Sequence, residues 1–120
     1  RNNSFSVAAV ETAFNEGEEW LSQLLDYLED NLNYLSYFIH ENLPKVKFVR
    51  PEGTYVVWLD FSEYKVEDIN LYLQEHAKVA LNKGDVFDKN CKNFARINIA
   101  CPRYQLEDGL NRIEKALNRL

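Results

Sequence analysis

Glycine is scarce in this chain, since four of its 120 residues are glycine and no two of them are close together. A loop that binds phosphate through backbone N–H groups needs closely spaced glycines, so the sequence contains neither a Rossmann nor a Walker motif. No serine occupies the G-x-S-x-G pattern of a hydrolase nucleophile. These absences exclude the common nucleotide-binding and serine-hydrolase motifs from the chain.

Cysteine is equally scarce, with Cys91 and Cys101 the two examples in the chain. They lack the CxxC spacing of many zinc sites, and His40 and His76 are the two histidines that could join them. Because structural zinc requires four convergent nitrogen or sulfur ligands, we expect no metal site. Two cysteines are also too few for a disulfide framework, so we expect reduced thiols in a cytoplasmic protein.

Long apolar runs and an excess of basic residues are absent as well. One of the longest apolar runs covers residues 55–59, far short of the ~20 residues that cross a membrane, and no signal peptide is visible. The formal net charge of −5 disfavours a nucleic-acid partner. We therefore expect a protein that binds neither membrane nor nucleic acid. Its 120 residues, 46% of them hydrophobic, match one globular domain.

Apolar periodicity predicts several helices. A short helix is predicted over residues 6–14 and a longer one from about residue 18 to Asn42, because Pro44 stops it. The apolar face of the longer helix has a spacing of three or four residues: Leu21, Leu24, Leu28, Leu32, Leu35 and Ile39. Further helices are predicted over 66–77 and after Pro102. Gly109 lies inside the last helix at a cost of about 1 kcal/mol, so we expect a neighbour packed close to it.

Four segments rich in β-branched and aromatic residues predict strands: 46–50, 54–61, 79–81 and 94–100. The first two are close in sequence and are expected to pair as an antiparallel hairpin. The order of elements predicts an α+β fold, a two-layer sandwich in which a mostly antiparallel four-stranded sheet carries helices on one face, preceded by a long N-terminal helix.

The last predicted strand alternates between an apolar and a mixed face. Ala95, Ile97 and Ile99 point one way, while Phe94, Arg96, Asn98 and Ala100 point the other. An arginine in the middle of a strand rarely lacks a partner, because burying an unpaired charge is costly. The planar guanidinium of Arg96 suits bidentate binding of a ligand carboxylate. An internal salt bridge to Asp60, or to another acid on a neighbouring strand, is the equally weighted alternative.

Four segments carry a recognisable pattern: AFNEGEEWL (13–21), PEGTYVVWLDF (51–61), VALNKGDVF (79–87) and FARINIACPR (94–103). They resemble the C-terminal part of class I and II pyridoxal-phosphate (PLP)-dependent aminotransferases, and are most similar to the MalY/PatB-type cystathionine β-lyase branch. The last is the most specific. The third departs from the family, which usually has proline in place of Lys83 and a small residue in place of Asp88.

The resemblance implies a fold, a role and partners. In that family an α+β small domain closes over a large domain that carries the cofactor, and the arginine at the position of Arg96 binds the α-carboxylate of an amino-acid substrate. Residues 1–16 are then a linker helix, and residues 17–120 are the C-terminal small domain of a longer homodimeric enzyme, a C–S β-lyase or a transaminase. The cofactor lysine belongs to the large domain, so we expect the 120-residue chain alone to bind no PLP and to be inactive.

A different class of function is also compatible with the residue pattern. A free-standing, non-catalytic α+β module that binds a peptide or protein partner would share this composition and an open sheet face. Such a module would use the mixed face of the last strand for contact and not for catalysis.

Overall fold

Two helices open the chain, α1 (Ser4–Glu16) and α2 (Glu18–Asn42). The computed structural model describes residues 3–120. The Asn3 side chain caps α1 by accepting a hydrogen bond from the Ser6 N–H. A Cβ at Gly17 would lie 2.3 Å from the Ala13 carbonyl oxygen, so the break between the helices needs glycine. Both predicted N-terminal helices are therefore present.

The division into a linker helix over residues 1–16 and a domain over residues 17–120 stays a prediction. Helix α1 falls within the first range, and Arg1 and Asn2 lie outside the described residues. Within residues 3–120, none of the helices combines the length and the apolar character that a membrane crossing requires.

Three antiparallel strands form the sheet, in the order β1-β3-β2. They are β1 (Val56–Asp60), β2 (Asn82–Lys83) and β3 (Phe94–Asn98). Strand β3 is central, so Arg96 lies opposite Trp58 on one side and Asn82 on the other. The α+β class and the antiparallel sheet are confirmed. The strand predicted at 79–81 is wrong in position, because β2 begins only at Asn82.

The strand predicted over residues 46–50 is not formed, so this prediction is wrong. Among the described residues this segment makes one isolated antiparallel bridge, between Lys47 and Asp60, and no further ladder. The Arg50 side chain is bound to helix α2 through Glu29 and Asn33, and proline follows it without an N–H to donate. The chain is therefore drawn to the helix instead of pairing along β1.

The remaining helices follow β1 and β3. Asp68 caps helix α3 (Ile69–Tyr72) by accepting a hydrogen bond of 2.9 Å from the Leu71 N–H. This helix continues as a π-helical turn over Leu73–Ala77. It begins later than predicted because Asp68 is still in an extended conformation. Helix α4 (Arg103–Leu117) begins directly after Pro102, as predicted.

The two faces of the sheet have opposite characters. Val57 of β1 pairs with Ile97 of β3, and both are buried. Their face packs on one apolar cluster to which α2, α3 and α4 also contribute, which means that these helices cover a single face. Trp58 and Arg96 lie on the opposite, open face. The predicted alternation of the last strand is therefore confirmed.

The expectation that a neighbour packs close to Gly109 is wrong. Within residues 3–120, a Cβ at this position would meet no atom of another part of the chain within 4 Å, so no neighbour requires glycine here. Gly109 lines a cavity of about 370 Å³ between helix α4, strand β3 and the segment before β2. The cost of glycine inside the helix is therefore not offset by a contact.

Helix α1 and the start of α2 carry an uncovered apolar surface, the α1–α2 ridge: Phe5, Val10, Phe14, Trp20, Leu21 and Leu25. Phe14 is 88% exposed and Trp20 is 68% exposed. No residue of α1 is buried. Only the later part of the predicted apolar face of α2, including Leu32, Leu35 and Ile39, enters the core. Large apolar patches seldom remain bare in solution.

We expect the isolated chain to associate through the α1–α2 ridge. Sedimentation velocity should show a weight-average mass that rises with concentration, and a dye for apolar surfaces should bind. Replacing Phe14 and Trp20 together by glutamate should reduce both effects, whereas Ser22→Glu adds charge without removing apolar surface and should change them less. A strict monomer at high concentration without dye binding would contradict this expectation.

Candidate functional site

Asn31 fixes the segment that leaves the central strand. Its side chain is fully buried in helix α2. Its Nδ2 donates to the carbonyl oxygens of Ile99, at 2.8 Å, and of Cys101, at 2.9 Å. Its Oδ1 accepts a hydrogen bond of 2.8 Å from Nε of Arg103. One amide therefore holds the exit of β3 and the start of α4 against α2.

Arg103 is the second part of this anchor. Its N–H donates to the Tyr27 hydroxyl at 2.7 Å, and its guanidinium carbon lies 4.8 Å from the centre of the Tyr34 ring. These contacts give the last arginine of the FARINIACPR segment a structural role. Sequence reasoning missed Asn31, whose signal was a polar residue next to Leu32 and one helical turn before Leu35.

Arg96 lies at the middle of the open sheet face. Its Nη2 donates to Oδ1 of Asn82 at 3.3 Å. The guanidinium carbon lies 4.8 Å from the centre of the Phe87 ring, and Phe87 meets Trp58 edge to face at 5.2 Å. The Nε atom of Arg96 is buried and has no hydrogen-bond partner among residues 3–120. Arg96 thus contacts one aromatic ring and one amide, and Trp58 of the adjacent strand supports the ring.

The internal salt bridge that the sequence left open as an alternative is not formed. Within the described part of the chain, no carboxylate oxygen lies within 4.0 Å of the Arg96 guanidinium. Asp60 instead accepts a hydrogen bond from the Ser62 N–H at 2.8 Å. A guanidinium without a carboxylate partner on an open face is suited to bind an anionic ligand.

Lys83 stabilises the short strand beside Arg96. Its Nζ lies 3.1 Å from Oδ2 of Asp68, the residue that caps α3. The Leu71 N–H bond and the Lys83 ammonium together hold the pKa of Asp68 below its ordinary value. Through this ion pair Lys83 ties β2 to helix α3. This bond also restrains Asn82, its neighbour in β2.

The described residues do not fit a PLP site. Seven of the eight lysines in the chain are exposed, and the eighth, Lys83, pairs with Asp68. A lysine that forms an imine with a cofactor is activated by burial or by a neighbouring cation, and none of these eight side chains is buried. Across residues 3–120, no three histidine, cysteine or acidic side chains are grouped to hold a metal ion. The chemistry that this arrangement offers is binding of an anionic group.

Arg96→Ala and Arg103→Ala should differ in their effect on thermal stability. Removing Arg103 leaves Oδ1 of the buried Asn31 without its donor, which costs about 1–3 kcal/mol and lowers the melting temperature by about 4–12 °C. Removing Arg96 loses a long hydrogen bond and a partly exposed cation–π contact, with a shift of at most about 4 °C. Thermal denaturation followed by circular dichroism measures both. A larger loss for Arg96→Ala would indicate a structural role.

Known proteins resemble large parts of the chain. The model of the family "Aminotransferase class I and II" matches residues 3–113. Cystathionine β-lyase PatB of Bacillus subtilis is 39% identical over 118 residues, which are 97% of this chain and 30% of the relative. Aspartate aminotransferase of Pyrococcus horikoshii is 32% identical over 79 residues, or 64% of this chain and 20% of the relative.

A solved structure is similar in both sequence and fold. The crystal structure of the PLP-bound C–S lyase from Staphylococcus hominis superposes with a TM-score of 0.89 at 37% sequence identity, covering 97% of this chain and 32% of that one. The chain thus spans about three tenths of the length of the proteins that it matches most fully. Because the family model covers residues 3–113, the chain belongs to the class I and II aminotransferase family.

Proposed function

We propose that this chain is the C-terminal, substrate-binding small domain of a PLP-dependent enzyme that acts on amino acids, and that Arg96 binds the α-carboxylate of the substrate. The observation that supports this most directly is the Arg96 guanidinium, which lies on the open sheet face without a carboxylate partner. The cofactor, PLP, is held outside these residues and supplies the electron sink for the reaction.

The role of Arg96 in this proposal is orientation. Two parallel hydrogen bonds from a guanidinium to a carboxylate fix both the position and the plane of the bound group. Fixing the carboxylate fixes the direction of the substrate's Cα–H bond, and such positioning can contribute several kcal/mol to catalysis. Arg96 is a substrate-binding residue here, and no residue of this chain is proposed to exchange a proton with the substrate.

The proposal also names the partners of the chain. The large domain of the same enzyme, which carries the cofactor, would cover the exposed α1–α2 ridge and the open sheet face, with residues 1–16 as the linker. A homodimer and a cytoplasmic location stay predictions. No observation favours the alternative of a non-catalytic module, because the bare surfaces are equally explained by the large domain.

A C–S β-lyase and a transaminase are the two candidates for the reaction. The chain matches a relative named as a cystathionine β-lyase and one named as an aspartate aminotransferase, and residues 13–21 and 94–103 resemble the lyase branch. Assays of L-cystathionine cleavage and of amino transfer to a 2-oxo acid, in the full-length enzyme, separate the two reactions.

Arg96→Ala in the full-length enzyme should lower kcat/KM by roughly 30-fold to several thousand-fold. Removing one side of a desolvated, hydrogen-bonded charge pair costs about 2–5 kcal/mol, at a factor of ten per ~1.4 kcal/mol. Arg96→Lys should recover little, because an ammonium cannot reproduce the planar fork. Steady-state kinetics with L-cystathionine measures the loss.

The control for this experiment is cofactor occupancy. The visible absorbance of bound PLP should be unchanged in Arg96→Ala, because the cofactor is held elsewhere. If kcat/KM is unchanged in Arg96→Ala, Arg96 does not bind the substrate. If activity falls only in proportion to a loss of folded protein, its role is structural.

The 120-residue chain alone should show neither saturable PLP binding nor turnover. Exposed lysines form non-specific imines, so absorbance must be followed across a titration and compared with an unrelated lysine-containing protein. A stoichiometric, saturable complex accompanied by turnover of L-cystathionine would contradict the assignment of the cofactor site to another part of the enzyme.

A further inference from the structure

Phe87 lies over the guanidinium of Arg96. The guanidinium carbon is 4.8 Å from the ring centre, within the range of a cation–π contact. Trp58 supports the ring from the side, with centroids 5.2 Å apart and planes at 83°. Phe87 itself is 52% exposed, so its position is not imposed by burial in the core. The contact between the Phe87 ring and Arg96 is therefore not a consequence of core packing.

A tightly built loop brings Phe87 to this position. A Cβ on Gly84 would lie 2.2 Å from the Cys91 carbonyl oxygen, so only glycine allows the two ends of the loop to approach. The Gly84 carbonyl accepts hydrogen bonds from the N–H groups of Phe87, at 3.0 Å, and of Asp88, at 3.1 Å. The Phe61 N–H donates to the Asn93 carbonyl at 2.9 Å. The loop is thus fixed at both ends.

Asn82 restrains the other side of the guanidinium. Its Oδ1 accepts from Nη2 of Arg96 at 3.3 Å, and the neighbouring Lys83 is tied to Asp68. With Nε buried and without a partner, the guanidinium is enclosed by the strand, the ring and the amide. An arginine held in this way loses less conformational entropy when it binds a ligand.

We propose that Phe87 is a positioning residue for Arg96, which holds the guanidinium flat against β3 while Asn82 fixes Nη2, so that the arginine is preorganised for a carboxylate. This inference rests on the proposed function of Arg96. Phe87 acts before the ligand arrives, and it contributes equally to the bound substrate and to the transition state. Its loss therefore raises KM and leaves kcat nearly unchanged.

The first experiment uses acetate as the carboxylate probe and the 120-residue chain, in which the sheet and helices α2, α3 and α4 share one apolar core. NMR of arginine-labelled protein reports the side-chain signals of Arg96, which the Phe87 ring current shifts upfield and which Arg96→Ala identifies. Phe87→Leu should abolish this upfield shift and raise the acetate dissociation constant about three- to tenfold. Phe87→Tyr keeps the ring face and should retain both.

Two further variants complete the set. Val86→Ala is the matched control, because Val86 is the preceding residue of the same loop and is 78% exposed; neither quantity should change. Asn82→Ala removes the other contact and should weaken acetate binding while the upfield shift remains. The dispersion of the same spectra shows whether each variant is folded.

The second experiment measures steady-state kinetics of L-cystathionine cleavage in the full-length enzyme. Phe87→Leu should raise KM about three- to tenfold with kcat nearly unchanged, and Phe87→Tyr should restore KM. Loss of the upfield shift with unchanged acetate binding and unchanged KM would overturn the role of Phe87. An absent upfield shift in the unmodified chain would overturn it too. If Arg96→Ala itself leaves acetate binding and kinetics unchanged, the proposed function fails, and that result is separate from any effect of Phe87.

Discussion

The buried amide of Asn31 is the interaction on which the position of the site depends. A fully buried amide is costly unless its hydrogen bonds are made, and Asn31 makes three, to Ile99, Cys101 and Arg103. Two of these partners are the backbone carbonyl groups of Ile99 and Cys101, which lie beyond the end of β3 and are not paired with another strand. The same bonds hold the exit of β3 on helix α2, so the central strand is fixed in direction. Arg96 lies in that strand, and its placement follows from the anchor.

The alternation along β3 then separates the side chains that pack in the core from those on the open face. Ile97 and its neighbours on one face join the apolar core, while Arg96 projects from the other face beside Trp58. Because a strand has a period of two, a shift of one residue in register would exchange the faces and bury the arginine. The apolar core therefore fixes which side chains the open face presents, although it does not touch a ligand.

Local features were predictable from the sequence and long-range ones were not. The alternation of β3, the helix start after Pro102 and the helix end before Pro44 follow from neighbouring residues, and the structure confirms them. The hydrogen-bond partners of Asn31 lie 68 to 72 residues away in the sequence, so no local pattern predicts them. The predicted strand at 46–50 fails for the same reason, since Arg50 is drawn to Glu29, 21 residues earlier. The strand pattern singled out Arg96, the resemblance implied a role for it, and the aromatic ring over it became visible only in three dimensions.

Among residues 3–120, Arg96 has no carboxylate partner, and acids of the neighbouring strand, helix and loop accept from other donors. Asp60 accepts from the Ser62 N–H at the end of β1. Asp68 pairs with Lys83, and Asp88, in the loop that carries Phe87, accepts from the Asn90 N–H at 2.8 Å. In a chain with a net charge of −5, Arg96 is thus a cation that no carboxylate within residues 3–120 neutralises by direct contact. Under the proposed function, the carboxylate that binds Arg96 comes from the substrate and not from these residues.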